Sequence, residues 1–145
     1  MAANYAKIKP NIWRKQLKGF SCKAKLLGIF LMTNDMQQML GMYFIPLVHM
    51  SIGTGLDGGE TEAALNELED KGFCHYDEET MFVWVTDMAR TQVADNPNAK
   101  QLKGVANELT RLCFDEECVF VEQFLTRYSK TFRLPKNIEE LEYCR

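Results

Sequence analysis

Apolar and polar positions along this chain switch between a helical and an extended period, and the switches mark the elements. Over residues 22–33, Ala24, Leu27 and Leu31, with Leu26 and Phe30, recur in steps of three and four, which predicts a helix with a wide apolar stripe. Ser21 precedes it as an N-cap, its hydroxyl suited to accept from a free N–H of the first turn. Residues 34–38 are polar and read as a loop. Residues 39–45 read as a short strand with apolar side chains on both faces, closed by Pro46. A second helix is expected over 46–52, with Leu47, Val48 and Met50 apolar, and then a turn at Gly53-Thr54-Gly55-Leu56. Ala64, Leu65 and Leu68 give a third helix over about 59–71 its buried spacing, and Gly72 ends it.

Two β-prone runs follow, 73–76 and 81–86, joined by the four-residue loop Asp77-Glu78-Glu79-Thr80. Phe82 and Trp84 alternate with Val83 and Val85, so one face is expected in the core and the other to be aromatic. Residues 87–94 read as a helical turn or short helix. Asp95-Asn96-Pro97-Asn98 is a stop, and Asn98 can cap a helix over 99–113 with Leu102, Val105, Ala106, Leu109 and Leu112 as its apolar positions. A further helix is expected over 115–130, with Asp115, Glu116 and Glu117 in a first turn that favours anions. Beyond Thr131, Pro135 and Glu139-Glu140-Leu141-Glu142 read as a short final helix or a loose end. Before the first helix, Pro10 breaks a basic and aromatic stretch. Asn11 can open a short helix to Lys18, Gly19 would end it, and Trp13 and Phe20 are expected against the core.

The order helix, strand, helix, turn, helix, hairpin predicts a mainly α fold with a small β-hairpin. It is that of a winged helix-turn-helix, here followed by a helical C-terminal extension. The expected division is a basic N-terminal arm over 1–20, a winged-helix domain over 21–87 and the extension over 88–145. A chain of 145 residues can bury an adequate core for one such domain with an appendage. The longest apolar run, 26–32, has seven residues, too few to span a bilayer. The polar, basic N-terminus suggests no signal peptide. Five cysteines without framework spacing suggest free thiols in a reducing cytoplasm.

Charge changes the picture most. Residues 1–25 carry +7, residues 26–87 carry −10 with Lys71 the one cation, and residues 88–145 balance, for a net −3. A basic arm in front of an acidic body implies two faces with different partners, or an arm that seeks an anionic surface. Several catalytic and ligand classes fit poorly. Gly53-Thr54-Gly55-Leu56-Asp57-Gly58 matches GxGxxG in form, but a helix precedes it rather than the strand a dinucleotide site requires. No Walker lysine pattern exists. The close pair Cys74 and His75 should leave opposite sides of a strand, and Cys113 and Cys118 are separated by a stop, so no metal site is expected. Nothing resembles an activated nucleophile. No enzyme and no cofactor are expected.

A winged helix that grips DNA places its third helix in the major groove and its wing near phosphate. The expected exposed positions of that helix are Glu60, Thr61, Glu62, Asn66, Glu67, Glu69 and Asp70, and the wing tip is Asp77, Glu78 and Glu79. Carboxylates repel phosphate, so only Thr61 and Asn66 suit base reading. Phosphate contact falls instead to Lys7, Lys9, Arg14, Lys15, Lys18, Lys23 and Lys25. The plainer reading of that arm is a solvated terminus. Lys23 and Lys25 stand in a first turn where the macrodipole disfavours cations. This hints at an outside anionic partner, or at a cost too small to matter.

The runs Ala24-Lys25-Leu26-Leu27, Thr33-Asn34, Gly41-Met42-Tyr43, Ile45-Pro46-Leu47 and Thr54-Gly55-Leu56 carry a resemblance. It continues through Ala64-Leu65, Leu68 to Gly72, Tyr76-Asp77-Glu78-Glu79-Thr80, Val83-Trp84-Val85, Gln92, Asn96-Pro97-Asn98, Lys100, Glu108-Leu109 and the helix Phe124 to Tyr128. In order and spacing, over roughly residues 13–130, they resemble the N-terminal winged-helix domain of phage replication-initiation (replisome-organiser) proteins. The resemblance implies phage or prophage origin, duplex DNA binding near a replication origin and replisome or other host protein partners. Family members usually extend further beyond the segment matching Phe124 to Tyr128, which leaves a stand-alone winged-helix module as the expectation.

Three readings follow. The first is a non-enzymatic phage DNA-binding protein of replication initiation. The second is a protein-interaction module whose acidic face (Glu60, Glu67, Asp70, Asp77, Glu78 and Glu79) binds a basic host protein. The third is a transcriptional regulator that forms a homodimer through its C-terminal helices.

Overall fold

The computed structural model describes residues 5–142. It forms two compact units, Met1–Gln92 and Val93–Arg145. The first unit therefore takes in both the segment read as an arm and the short helix after the hairpin.

Helix α1 (Cys22–Thr33) starts where its cap predicts, with Ser21 Oγ accepting from the Ala24 N–H at 3.2 Å. Its far end is tied to the sheet. Asn34 Nδ2 donates to the Phe30 carbonyl and to the Tyr43 hydroxyl at 2.9 and 2.8 Å, and that hydroxyl donates to the Leu31 carbonyl. These bonds satisfy the polar atoms of two buried side chains. Burial, the first cause, holds the Tyr43 hydroxyl well above its ordinary pKa.

Strand β1 (Met42–Phe44) is shorter than the sequence predicts, because Gly41 turns the chain into it at φ +77°. A Cβ at Gly41 would stand 2.7 Å from the Val85 carbonyl oxygen, so both conformation and space demand glycine. Pro46 opens α2 (Leu47–Thr54), which runs two residues further than expected and ends at Gly55, φ +81°. Gly53 thus lies inside a helix, where an added Cβ would stand 2.2 Å from the Phe30 ring. Its glycine permits the α1–α2 approach.

Helix α3 (Gly58–Asp70) opens with a reciprocal cap that the apolar pattern did not reveal. Glu60 N–H donates to Asp57 Oδ1 at 2.7 Å, and Asp57 N–H donates to Glu60 Oε1 at 3.1 Å. Gly72, at φ +77°, follows its end. Strands β2 (Cys74–Asp77) and β3 (Phe82–Val85) form the hairpin, and β1 joins it in an antiparallel sheet of order β1-β3-β2. Tyr43 and Tyr76 both pair with Val83. On β3, Phe82 and Trp84 form the aromatic face, and they are buried too, at 8 % and 4 % exposed against 0 % and 2 % for Val83 and Val85. Trp84 stacks on His75, 5.4 Å between ring centres. The core of the unit joins Leu27 and Leu31 of α1, Met50 of α2, Ala64, Leu65 and Leu68 of α3, and Val83 and Val85 of β3. Helix α4 (Met88–Gln92) closes the unit.

In the second unit, Asn98 and Gln101 cap α5 (Ala99–Phe114) reciprocally. The helix expected over 115–130 begins only at Val121, as α6 (Val121–Tyr128). A left-handed residue breaks the helical path between Asp115 and Val121: Glu117 takes φ +52°. Arg111 holds Glu108 and Glu116 in one fork. Phe124, Tyr128 and Phe132 cluster at 4.8 to 6.3 Å between ring centres. The acidic tail forms a short helix, α7 (Ile138–Glu142). Among the described residues no helix is long and apolar enough to cross a membrane.

Candidate nucleic-acid interface

Before α1 the chain makes a 3-10 turn at Pro10–Trp13 and further turns to Gly19, φ +83°. Ile12, Leu17 and Phe20 are buried in the core, with Phe20 edge-on to Phe73 at 6.2 Å. The expectation that Trp13 packs against the core is corrected, since it is 56 % exposed. Within so short a turn, Ile12 and Leu17 fill the space beneath and the indole points out. Upstream, the Lys7 backbone and the Gln92 side chain exchange two hydrogen bonds, of 3.0 and 2.8 Å. The segment is therefore anchored at both ends, and it presents Lys7, Lys9, Arg14, Lys15 and Lys18 as exposed side chains.

Lys15 is the centre of the basic surface. Two adjoining grooves, of about 220 Å³ and about 430 Å³, share Lys15, Gln16, Met32 and Asp87. Lys71 lines the first, and Lys9 and Arg90 the second. Sequence reasoning missed Lys71 and Arg90, which are far from the arm along the chain. Lys71 is drawn to it by the Gly19 carbonyl, which its Nζ meets at 3.0 Å, and by the Phe20 ring, 4.7 Å from that Nζ. Four cations against the single carboxylate of Asp87 give the cleft an excess of positive charge.

The two cations in the first turn of α1 differ. Lys23 is ion-paired with Glu60 of α3, so the anionic partner its position hinted at lies within the chain. The hydrogen bond between them is the first cause of both shifts, raising the Lys23 pKa and lowering that of Glu60. Lys25 is half-buried.

On α3 the exposed reading of Thr61 is corrected. The residue is 0 % exposed. Its hydroxyl lies 2.8 Å from the Ser51 hydroxyl of α2 and donates to the Asp57 carbonyl at 2.8 Å, so it ties α2 to α3 and cannot touch a base. Asn66 is exposed, as expected. The acidic set divides into groups. Glu67 accepts from the Ser21 N–H and hydroxyl, and the backbone bond is the first cause of its lowered pKa. Glu60 and Glu67 thus face the start of α1. Asp77 accepts from the Thr80 N–H at 3.1 Å and closes the hairpin loop, while Asp70, Glu78 and Glu79 are open to solvent.

Among the described residues no three or more His, Cys, Asp or Glu side chains are grouped to hold a metal ion. The GxGxxG run spans the end of α2 and the start of α3, so a helix and not a strand leads into it. Comparison with protein-family models, with curated proteins and with solved structures finds no match.

Proposed function

We propose that this chain is a winged helix-turn-helix module that binds duplex DNA without catalysing a reaction, and that it grips phosphate through its basic N-terminal segment. Supporting the fold reading are the chain order α1-β1-α2-α3-β2-β3 and the sheet order β1-β3-β2, in which two helices and a hairpin follow one another as the motif requires. The observation that carries the binding reading is the cleft around Lys15, where Lys9, Lys71 and Arg90 converge from three parts of the chain. Exposed Arg14 and Lys18 extend the same charge. Such a surface attracts phosphate and releases counterions, whereas α3 and the wing carry carboxylates that repel it. The setting, phage replication initiation in a bacterial cytoplasm, rests on the sequence resemblance alone.

Binding of a labelled duplex by paired variants tests this. Lys15→Glu with Lys18→Glu should weaken affinity by about tenfold or more at low salt. Asn66→Ala should change it by no more than about threefold, because carboxylates around it keep the backbone away. The opposite ranking would move the interface to α3 and exclude the N-terminal segment.

A further inference from the structure

The surface that a winged helix usually turns to DNA carries carboxylates and exposed apolar side chains here. Between the start of α2, the exposed side of α3 and the wing lies a groove of about 360 Å³. Leu47, Val48 and Met81 supply its apolar lining, Tyr76 adds a ring, and Glu62 and Glu78 stand among them. Val48 is 64 % exposed and Met81 40 %; Ile52, one turn after Val48 on α2, is 79 % exposed, and Phe44 of β1, which pairs with Phe82 next to Met81, is 46 %. Four large apolar side chains open to solvent on neighbouring elements exceed the scattered exposure of an ordinary surface. The groove is fixed from beneath: the Tyr76 hydroxyl donates to the Ile45 carbonyl at 2.8 Å, and the Ile45 N–H donates to the Met81 carbonyl at 2.8 Å.

From this groove we infer a docking site for a segment of a partner protein whose apolar side chains are flanked by Lys or Arg. Charge selects that occupant. Over residues 26–87 the one Lys or Arg is Lys71, and its Nζ is held by the Gly19 carbonyl. Glu62 and Glu78 therefore meet the groove with no Lys or Arg among its lining residues, and Asp77 and Glu79 flank it in the wing. A duplex backbone is repelled, and two grooves set face to face would oppose carboxylate to carboxylate. A cationic, apolar segment satisfies both features: its side chains fill the lining, and its charges pair with the rim. The site is separate from the basic cleft and does not depend on it.

The test uses isotope-labelled protein and two synthetic peptides. One is an amphipathic helix with Leu at every third or fourth position flanked by Lys and Arg. The other carries Glu at every cationic position. The basic peptide should shift the amide signals of Val48, Tyr76 and Met81, and the acidic peptide should shift none of them. Val48→Lys and Glu62→Lys, both at exposed positions, should each weaken the basic peptide at least tenfold, with thermal unfolding and duplex DNA binding unchanged. Four results would overturn the inference: no shifts with the basic peptide at millimolar concentration, shifts confined to other surfaces, equal response to both peptides, or self-association without peptide that Val48→Lys abolishes. The last would assign the groove to a second copy of the chain.

Discussion

Glu67 of α3 accepts two hydrogen bonds from Ser21, one from its N–H at 2.7 Å and one from its hydroxyl at 2.8 Å. Ser21 in turn caps α1 through Ala24. One carboxylate thus fixes the residue that starts the neighbouring helix, and an acidic side chain that sequence reasoning offered to a partner supports the fold. Charged acceptors make stronger hydrogen bonds than neutral ones, but these bonds are open to solvent, so Glu67→Gln should destabilise the protein by at most about 1 kcal/mol in denaturant unfolding at neutral pH. The pKa of Glu67 is lower folded than unfolded. A lowered carboxyl pKa contributes stability above its unfolded value and loses it as pH falls through the folded one. The difference between wild type and Glu67→Gln should therefore be full at neutral pH and shrink in acid below the usual carboxylate range. A difference that stays constant with pH would contradict this role.

Thr61 makes a second prediction. Its buried hydroxyl joins Ser51 and the Asp57 carbonyl. Replacing it with Val keeps the shape and removes both bonds, which should cost about 1–3 kcal/mol. DNA affinity, measured where the variant is folded, should not change. A loss of affinity without a loss of stability would restore Thr61 as a base reader.

Lys23 and Glu60 make a third. Their ion pair withholds Lys23 from an outside phosphate. Glu60→Gln should strengthen duplex binding at low salt, and Lys23→Ala should weaken it less than Lys15→Ala. Equal losses at Lys15 and Lys23 would mean that DNA displaces Glu60.

Much of the fold was legible because its signals are local. The serine cap and the three-and-four spacing placed α1 at its observed bounds, and Gly72 marked the end of α3. What was missed is non-local or polar. Thr61 stands three, four and seven positions before Ala64, Leu65 and Leu68, so the helical period already put it on the buried face. Its hydroxyl disguised it, and the Ser51 partner that makes burial tolerable comes from another helix. Trp13 misled through its size: the turn at Pro10–Trp13 gives the core to Ile12. The acidic triplet after α5 read as a helix start, but its last member, Glu117, takes a left-handed conformation. For the candidate site, the basic segment was visible as a run of charge. Its convergence with Lys71 and Arg90 was not, because Lys71 follows the acidic α3 and Arg90 lies beyond the hairpin. The acidic set looked like one face and is divided: Glu60 and Glu67 meet the start of α1, and Glu78 lines the groove beside the hairpin.

The measurement that bears most directly on the proposed DNA contact is duplex affinity over a salt series. Log affinity falls with log salt by about 0.9 for each phosphate neutralised. With Lys9, Arg14, Lys15, Lys18 and Arg90 as contacts, the slope should be about −4 to −5, and Lys15→Ala with Lys18→Ala should reduce its magnitude by about 2. A flat response, an unchanged slope in the double variant, or no binding at low salt would contradict phosphate recognition by the N-terminal segment.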